Sequence, residues 1–359
     1  MIARIFNVYP LAAACFLICC LCLVSPGFAE TLDSGIRFEI VDGIRVVENQ
    51  LISQTLTIDG QAWNHAIIRN NRFLGQSKTA LHISNASNLL IEGNEFSAIG
   101  SFAIKLRDEK NDGAHDVQIR NNFFHDLVQT PIMVGEPNRG VQIIANRFVN
   151  VALNRSGNKQ HAIYLKGPGY LVEGNLIDGV VDGNGVSIRT AGIVRNNIVR
   201  NVNRDGIKYY SSSSQKGSGK LVVEGNLVTD CGHGGIVFAN GKGVLIDSAV
   251  VRFNTLINNQ LAVRIYEGLE PIVFNLYANL LIESRGEYSS AKSTIDLHSE
   301  NLTASGDIGF YDYSTGDYRI RPGSVAQDYV HMATELPPYD LQGRAYSAGP
   351  WTVGAYQAD

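Results

Sequence analysis

The chain has 359 residues, with 30 Lys and Arg against 34 Asp and Glu, a formal charge of −4 at neutral pH. That balance argues against a protein that holds nucleic acid or a membrane surface by net charge, so any anion site must be a local patch. The length is ample for a large core, as one large or two ordinary domains.

The first segment, residues 1–29, has Arg4 near its start, an apolar run from about Leu11 to Val24, and Gly27 and Ala29 at −3 and −1 of a cut before Glu30. This is the pattern of a cleavable signal peptide, so the mature protein is expected to be secreted or periplasmic. Beyond it no apolar run is long enough to span a bilayer. Removing it leaves 29 basic residues against 34 acidic ones, a charge of −5, and takes Cys15, Cys19, Cys20 and Cys22 with it. Cys231 alone remains, so no intrachain disulfide can staple the fold and a large core must hold it. With no disulfide or cofactor called for, the mature chain is expected to be a monomer.

From residue 30 to 284 one phrase recurs: apolar, two residues, Asn, one residue, apolar. It aligns Asn71, Asn94, Asn122, Asn146, Asn175, Asn197, Asn226, Asn254 and Asn279, spaced 22 to 29 residues apart. Between these asparagines lie short alternating segments such as "AIKLR", "AIYLK", "GVSIR", "GIKYY" and "AVRIY". Period-2 alternation marks half-buried strands. Units of this size that stack their strands form a parallel β-helix, and stacked asparagines can hydrogen-bond as a ladder along its axis. The predicted fold class is therefore all-β, a parallel β-helix with an irregular C-terminal cap over 285–359.

Each repeat thus holds at least two short strands, and alternation sorts the strand between the asparagines into inside and outside. One outward column reads His82, Lys105, Met133, Tyr164, Ser187, Lys208, Val237, Arg264; its neighbour reads Ser84, Arg107, Gly135, Lys166, Arg189, Tyr210, Ala239, Tyr266. Coils about 4.8 Å apart make each column a continuous strip. The strips carry six cations and three tyrosines but no carboxylate. A solvated sheet face would interleave acids with its cations, so an anionic ligand is expected; tyrosines offer sugar rings an apolar face and a hydroxyl. Lys105, Arg107, Tyr164, Lys208, Arg264 and Tyr266 are the predicted binding residues. His161, at the start of "HAIYLK", is either a base near neutral pH or a turn cap. His233 in "CGHGG" reads as a turn residue. Asp205 is close enough in sequence to tune Lys208. The loop "SSSSQKGSGK" follows Tyr210 and either borders the strip or is idle. No phosphate-cradling loop, nucleophile elbow or metal-spaced histidine set occurs.

The Asn phrase, from about Ile58 to Ile282, resembles the right-handed parallel β-helix superfamily of pectate lyases and related polysaccharide enzymes. The tail "GDYRIRPGSVAQD…DLQGRAYSAGPWTVGAY" resembles the closing segment of many bacterial secreted β-helix proteins and reads as a cap over an exposed coil edge. Over about 30 residues, "IYLKGPGYLVEGN…GVSIRTAG" is similar to the lyase family of chondroitinase B and several alginate lyases. That resemblance implies Lys166 as base and Arg189 as acid, with His161 and Tyr210 beside them, in β-elimination from a uronic-acid polysaccharide. The family's calcium carboxylates are missing ahead of Lys166, where the chain has "NKQHAIYLK", so no metal or cofactor is expected. A C5 epimerase remains an alternative, although the "DPHD" of such enzymes is absent and "DGAHD" replaces it poorly. A hydrolase would need paired outward carboxylates. A non-catalytic polysaccharide-binding or export-associated solenoid is the other alternative.

Overall fold

The computed structural model describes residues 29–32, 35–106, 113–155, 157, 159–212, 219–284, 288–290, 295–297 and 300–358. The signal-peptide segment through residue 28, Arg107 and the middle of the loop after Tyr210 lie outside the described residues. Three parallel sheets run along one solenoid, each coil giving one short strand to each sheet. The first opens with antiparallel strands Ala29–Thr31, Arg37–Val41 and Ile44–Glu48 and continues in parallel from Ile67–Arg69 to Ile295–Leu297. The second runs from Leu51–Ile52 to Leu302–Ala304, the third from Leu56–Asp59 to Tyr288–Ser290. Among the described residues there is no α-helix, only single 3-10 turns at Gln61–Trp63 and Tyr313–Thr315. In Ile104–Leu106, Ile132–Val134 and Ile163–Leu165 the outer two residues are buried and the middle one half-buried, the expected alternation.

The asparagines form the predicted ladder. Asn175 Oδ1 accepts from Asn146 N at 2.9 Å and from Asn146 Nδ2 at 3.0 Å; its own Nδ2 donates to Ile143 O, Glu173 O and Asn197 Oδ1. The same bonds repeat from Asn71 through Asn279, and a tenth rung, Asn301, accepts from Asn279 at 2.9 Å. Asn301 falls outside the phrase because His298 and Thr303 stand where the other rungs have apolar neighbours. Inside the coils Phe73, Phe96, Phe124 and Phe148 stack at 4.6, 4.9 and 4.8 Å, near the coil spacing itself.

The residue before each rung from Asn71 to Asn279 takes the left-handed conformation, with φ of 63° at Gly93, 54° at Asn121 and 64° at Gly174. Only Gly and, less readily, Asn adopt it without strain, which explains "GN" and "NN" in the repeat. At Gly93 a Cβ would also come within 2.6 Å of Asn70 Oδ1.

The tail also packs along the outer face of the first two sheets. Glu335 pairs with Lys220 at 2.8 Å and Arg252 at 3.3 Å, Asn196 donates to Tyr339 O at 3.3 Å, and Ala355 N donates to Thr255 Oγ1 at 2.9 Å. Outward apolar residues of the first two sheets, among them Leu227, Val250, Tyr277 and Leu280, are buried in a second core with Phe310, Ile320, Val330 and Val353 from the tail. The tail thus covers the flank that these residues would otherwise expose.

Replacing Asn175 by Leu strands Asn146 N, removes one acceptor from Asn146 Nδ2 and takes a donor from Ile143 O and Glu173 O. An unsatisfied buried polar group costs about 1–3 kcal/mol, so the urea midpoint should fall with an unchanged slope. An unchanged midpoint would show that the ladder contributes nothing.

Candidate functional site

The third sheet carries the predicted strip in the predicted register. Lys105 pairs with His82 and Met133, Met133 with Tyr164, Tyr164 with Ser187, Ser187 with Lys208, Lys208 with Val237, and Val237 with Arg264. Midway along it opens a cleft of about 530 Å³. Tyr164, Arg189, Lys208 and Tyr210 line it from the strands; Lys159, His161, Asn184 and Arg204 line it from the turns that lead into those strands.

Arg189 is at the centre, and its surroundings differ from expectation. It sits on the outward face yet is only 8 % exposed. Its guanidinium carbon lies 4.6 Å from the Tyr164 ring centroid and 5.1 Å from that of Tyr210. Tyrosines one coil to either side therefore enclose a residue that alternation alone would leave in water. Nη1 donates to Ser187 Oγ at 2.9 Å and Ile188 O at 3.1 Å, while Nε is buried without a partner. Among the described residues no carboxylate pairs with Arg189. Burial works against its charge, and the Tyr164 and Tyr210 hydroxyls offset this in part; a guanidinium nevertheless stays protonated.

The other cations are not all without acids, which corrects the sequence argument on that point. Lys208 Nζ donates to Asp205 Oδ2 at 2.8 Å, from a carboxylate that is fully buried on the same strand. Asp205 Oδ1 also lies 2.5 Å from His233 Nδ1. Burial alone would raise the Asp205 carboxyl, but the His233 hydrogen bond and the Lys208 charge outweigh it and hold the group below the usual carboxylate range. His233 Nε2 in turn faces Arg264 Nη1 at 3.1 Å and Tyr266 OH at 3.4 Å, with Arg264 stacked 4.2 Å from the Tyr266 ring. His233 lies in the turn that the sequence suggested, and its side chain also bridges neighbouring coils.

His161 is 6 % exposed, and its Nδ1 accepts the Asn184 N–H at 3.1 Å. That leaves the ring proton on Nε2, so His161 faces the cleft as a neutral donor. The expectation of a base near neutral pH is corrected accordingly. Burial, then the charges of Arg189 and Lys208, push its pKa down to about 3.

Of the remaining predicted residues, Arg264 and Tyr266 lie further along the strip, joined to Lys208 through His233 and Asp205. Lys105 stands two coils to the other side of Tyr164, with Nζ 5.2 Å from the Phe102 ring. Lys166 follows the strand of Tyr164 and donates its backbone N–H to Val134 O, but does not line the cleft. Arg107 lies outside the described residues. Lys159 and Arg204 escaped the strip because they belong to turns, which strand alternation does not index. No group of three or more His, Cys, Asp or Glu suited to a metal ion occurs among the described residues.

With the fold and cleft described, comparison with known proteins gives the class. The family described as right handed beta helix region matches residues 30–155 and 64–261. The chain belongs to that family, and its solenoid is the right-handed parallel β-helix. Among solved structures it is similar to one titled pectate lyase Pel9A, with a TM-score of 0.52 and 11 % identity over 88 % of this chain and 86 % of that one. It is also similar to the PL6 family alginate lyase AlyGC, with a TM-score of 0.39 and 15 % identity over 86 % and 56 % of the two chains. A third is the periplasmic alginate epimerase AlgG, at 0.29 and 11 % over 79 % and 72 %. No curated protein matches the sequence. At these identities the structural likeness establishes the fold alone.

His161 gives a pH test. Unfolded, it takes a proton near 6.5; folded, only near 3. Between these values the unfolded chain binds more protons, so the contribution of neutral His161 is complete above 6.5 and is lost as pH falls toward 3. Its NMR signals should show no protonation down to pH 4. A midpoint above 5 would mean that the ring is not enclosed as described.

Proposed function

We propose that this protein is an exported lyase that cleaves a uronic-acid polysaccharide by β-elimination, with the acidic chain lying along the third sheet. The observation that carries this reading is the buried Arg189, without a carboxylate partner among the described residues and held between two tyrosines in a cleft that also presents Lys159, Arg204 and Lys208. A buried cation without an acid is costly unless an anion completes it, and a hexuronate carboxylate is such an anion. The flanking rings give a sugar flat apolar surface and hydroxyls.

Elimination needs the carboxylate neutralised, a proton taken from C5 and a proton given to the leaving O4. The cleft wall is made largely of donors, the arrangement that stabilises negative charge as it spreads from C5 into the carboxylate. Arg189, Arg204 and Lys208 serve the carboxylate in this reading. Tyr210, whose ring lies against the Arg189 guanidinium in the cleft, gives the proton to O4. His161, neutral and with Nε2–H toward the cleft, donates a hydrogen bond to the sugar. Lys166, which stands outside the cleft wall, is given no part. The lyase and epimerase neighbours share the fold and add only analogy.

The test is incubation with alginate, pectate, glucuronan and glycosaminoglycans while ultraviolet absorbance from a C4–C5 double bond is followed. One of these acidic chains should give the signal, and chelator should leave it intact. Binding without absorbance on every chain would favour the non-catalytic solenoid. On the active substrate, Tyr210→Phe should lower turnover ~10²-fold or more with affinity nearly unchanged. Arg189→Gln should weaken binding by about 2 kcal/mol, roughly 30-fold, the scale of a charge-assisted hydrogen bond. Equal affinity in Arg189→Gln and wild type, measured by calorimetry, would remove Arg189 from the site.

A further inference from the structure

We propose that His233, oriented by the buried Asp205, is the group that accepts the C5 proton, and that Arg264 covers it until an acidic sugar draws the guanidinium away. This rests on the elimination reading above.

Three contacts support it. Asp205 Oδ1 lies 2.5 Å from His233 Nδ1 and belongs to a side chain with no exposure, so the ring proton is fixed on Nδ1 and the lone pair on Nε2. Arg264 Nη1, a group that can only donate, meets Nε2 at 3.1 Å, which requires the same tautomer. The backbone is fixed as well, since His233 N donates to Arg204 O at 3.0 Å. A carboxylate-oriented imidazole with its lone pair on Nε2 is the arrangement of a general base. His233 is about a fifth exposed, and its Nε2 is met by Arg264 and Tyr266. The groups around the ring are Asp205 at Nδ1, Arg264 and Tyr266 at Nε2, and Lys208 on the far oxygen of Asp205.

Position along the strip suits the role. Lys208 is paired with Val237 of the next coil, the coil that carries His233, while Arg189 belongs to the coil before and Tyr210 stands two residues along the strand of Lys208. A uronate over Lys208 therefore has Tyr210 beside it on the same strand and His233 on the next coil. In the free protein Arg264 occupies Nε2. A sugar carboxylate competes for that guanidinium better than a neutral imidazole does, because a charged acceptor makes the stronger bond. A neutral sugar has nothing with which to move it, so the base is uncovered only by an acidic substrate.

The step balances. Nε2 takes the C5 proton, the C5–H electron pair becomes the C4–C5 double bond, and the C4–O4 bond breaks. Tyr210 supplies the proton to O4, and water returns the His233 proton to the phenolate.

The test uses the full mature chain with an oligouronate in D₂O, reading unsaturated ends in the product and, in recovered uncleaved substrate, deuterium at C5 from return of the abstracted proton. His233→Gln should lose ~10²–10⁴-fold in both while binding stays within about threefold. Activity of His233→Gln within threefold of wild type, or a loss confined to Lys166→Ala, would overturn the acceptor and leave elimination standing. Wild type that binds but gives neither signal would overturn both. On unaltered protein, ¹⁵N-histidine spectra should show His233 Nε2 as an unprotonated acceptor whose signal moves when oligouronate is added. A proton on Nε2 at neutral pH, or no response at saturation, would overturn the acceptor without reference to turnover.

Discussion

One constraint governs the molecule: each coil must lie on the previous one in register, so that a residue meets its counterpart about 4.8 Å away. The asparagine ladder enforces this at a corner of every coil. Each rung ties its neighbour's side chain and main chain while closing its own turn. A one-residue slip would strand these bonds and turn core side chains outward. The stacked phenylalanines follow the same spacing from inside. The third sheet inherits a fixed rise, and that rise turns residues 21 to 31 apart in sequence into neighbours.

The site is a consequence of this rise. Tyr164, Arg189 and Tyr210 come from successive coils, and their stacking needs the axial step to match the thickness of a ring on a guanidinium. The same step sets Lys208, Asp205 and His233 around one buried carboxylate. The two halves differ in charge. Around Asp205 the charges are paired; Arg189 itself has no carboxylate partner among the described residues. This asymmetry places the demand for an anion at one point of the strip, whereas a uniformly basic face would spread it along the whole sheet. Rigid placement of donors is what gives electrostatic stabilisation of a developing charge its effect.

Much of this was legible in sequence. A period-2 segment in every coil fixed which residues share a column, and the pairing from His82 to Arg264 follows it without exception. Burial was less legible. Alternation tells which face a side chain leaves from and nothing about what overlies it, so the outward position of Arg189 was legible and its cover by Tyr164 and Tyr210 was not. The spacing of Asp205 and Lys208 made their contact legible; the full burial of the carboxylate and its second contact, with His233, were not. His233 was hidden by its glycines. Aligning "RDGIKYY" with "HGGIVFA", which places Asp205 opposite Gly234, was the available signal. Lys159 and Arg204 left no periodic trace, since turns vary in length between coils. The tail's second core was not visible either: Leu227 and Leu280 read as ordinary ladder neighbours, and only the tail's position explains their burial.

The central claim is that the coil register assembles a site whose uncompensated cation selects an acidic chain. The most direct measurement is calorimetric titration of the mature protein with an oligouronate and with the same oligosaccharide after reduction of its carboxylates to alcohols. The account predicts binding of the acidic form, weakened as salt rises, and no measurable binding of the reduced form. Equal affinity for the two, or none for either across the common polyuronates, would contradict it.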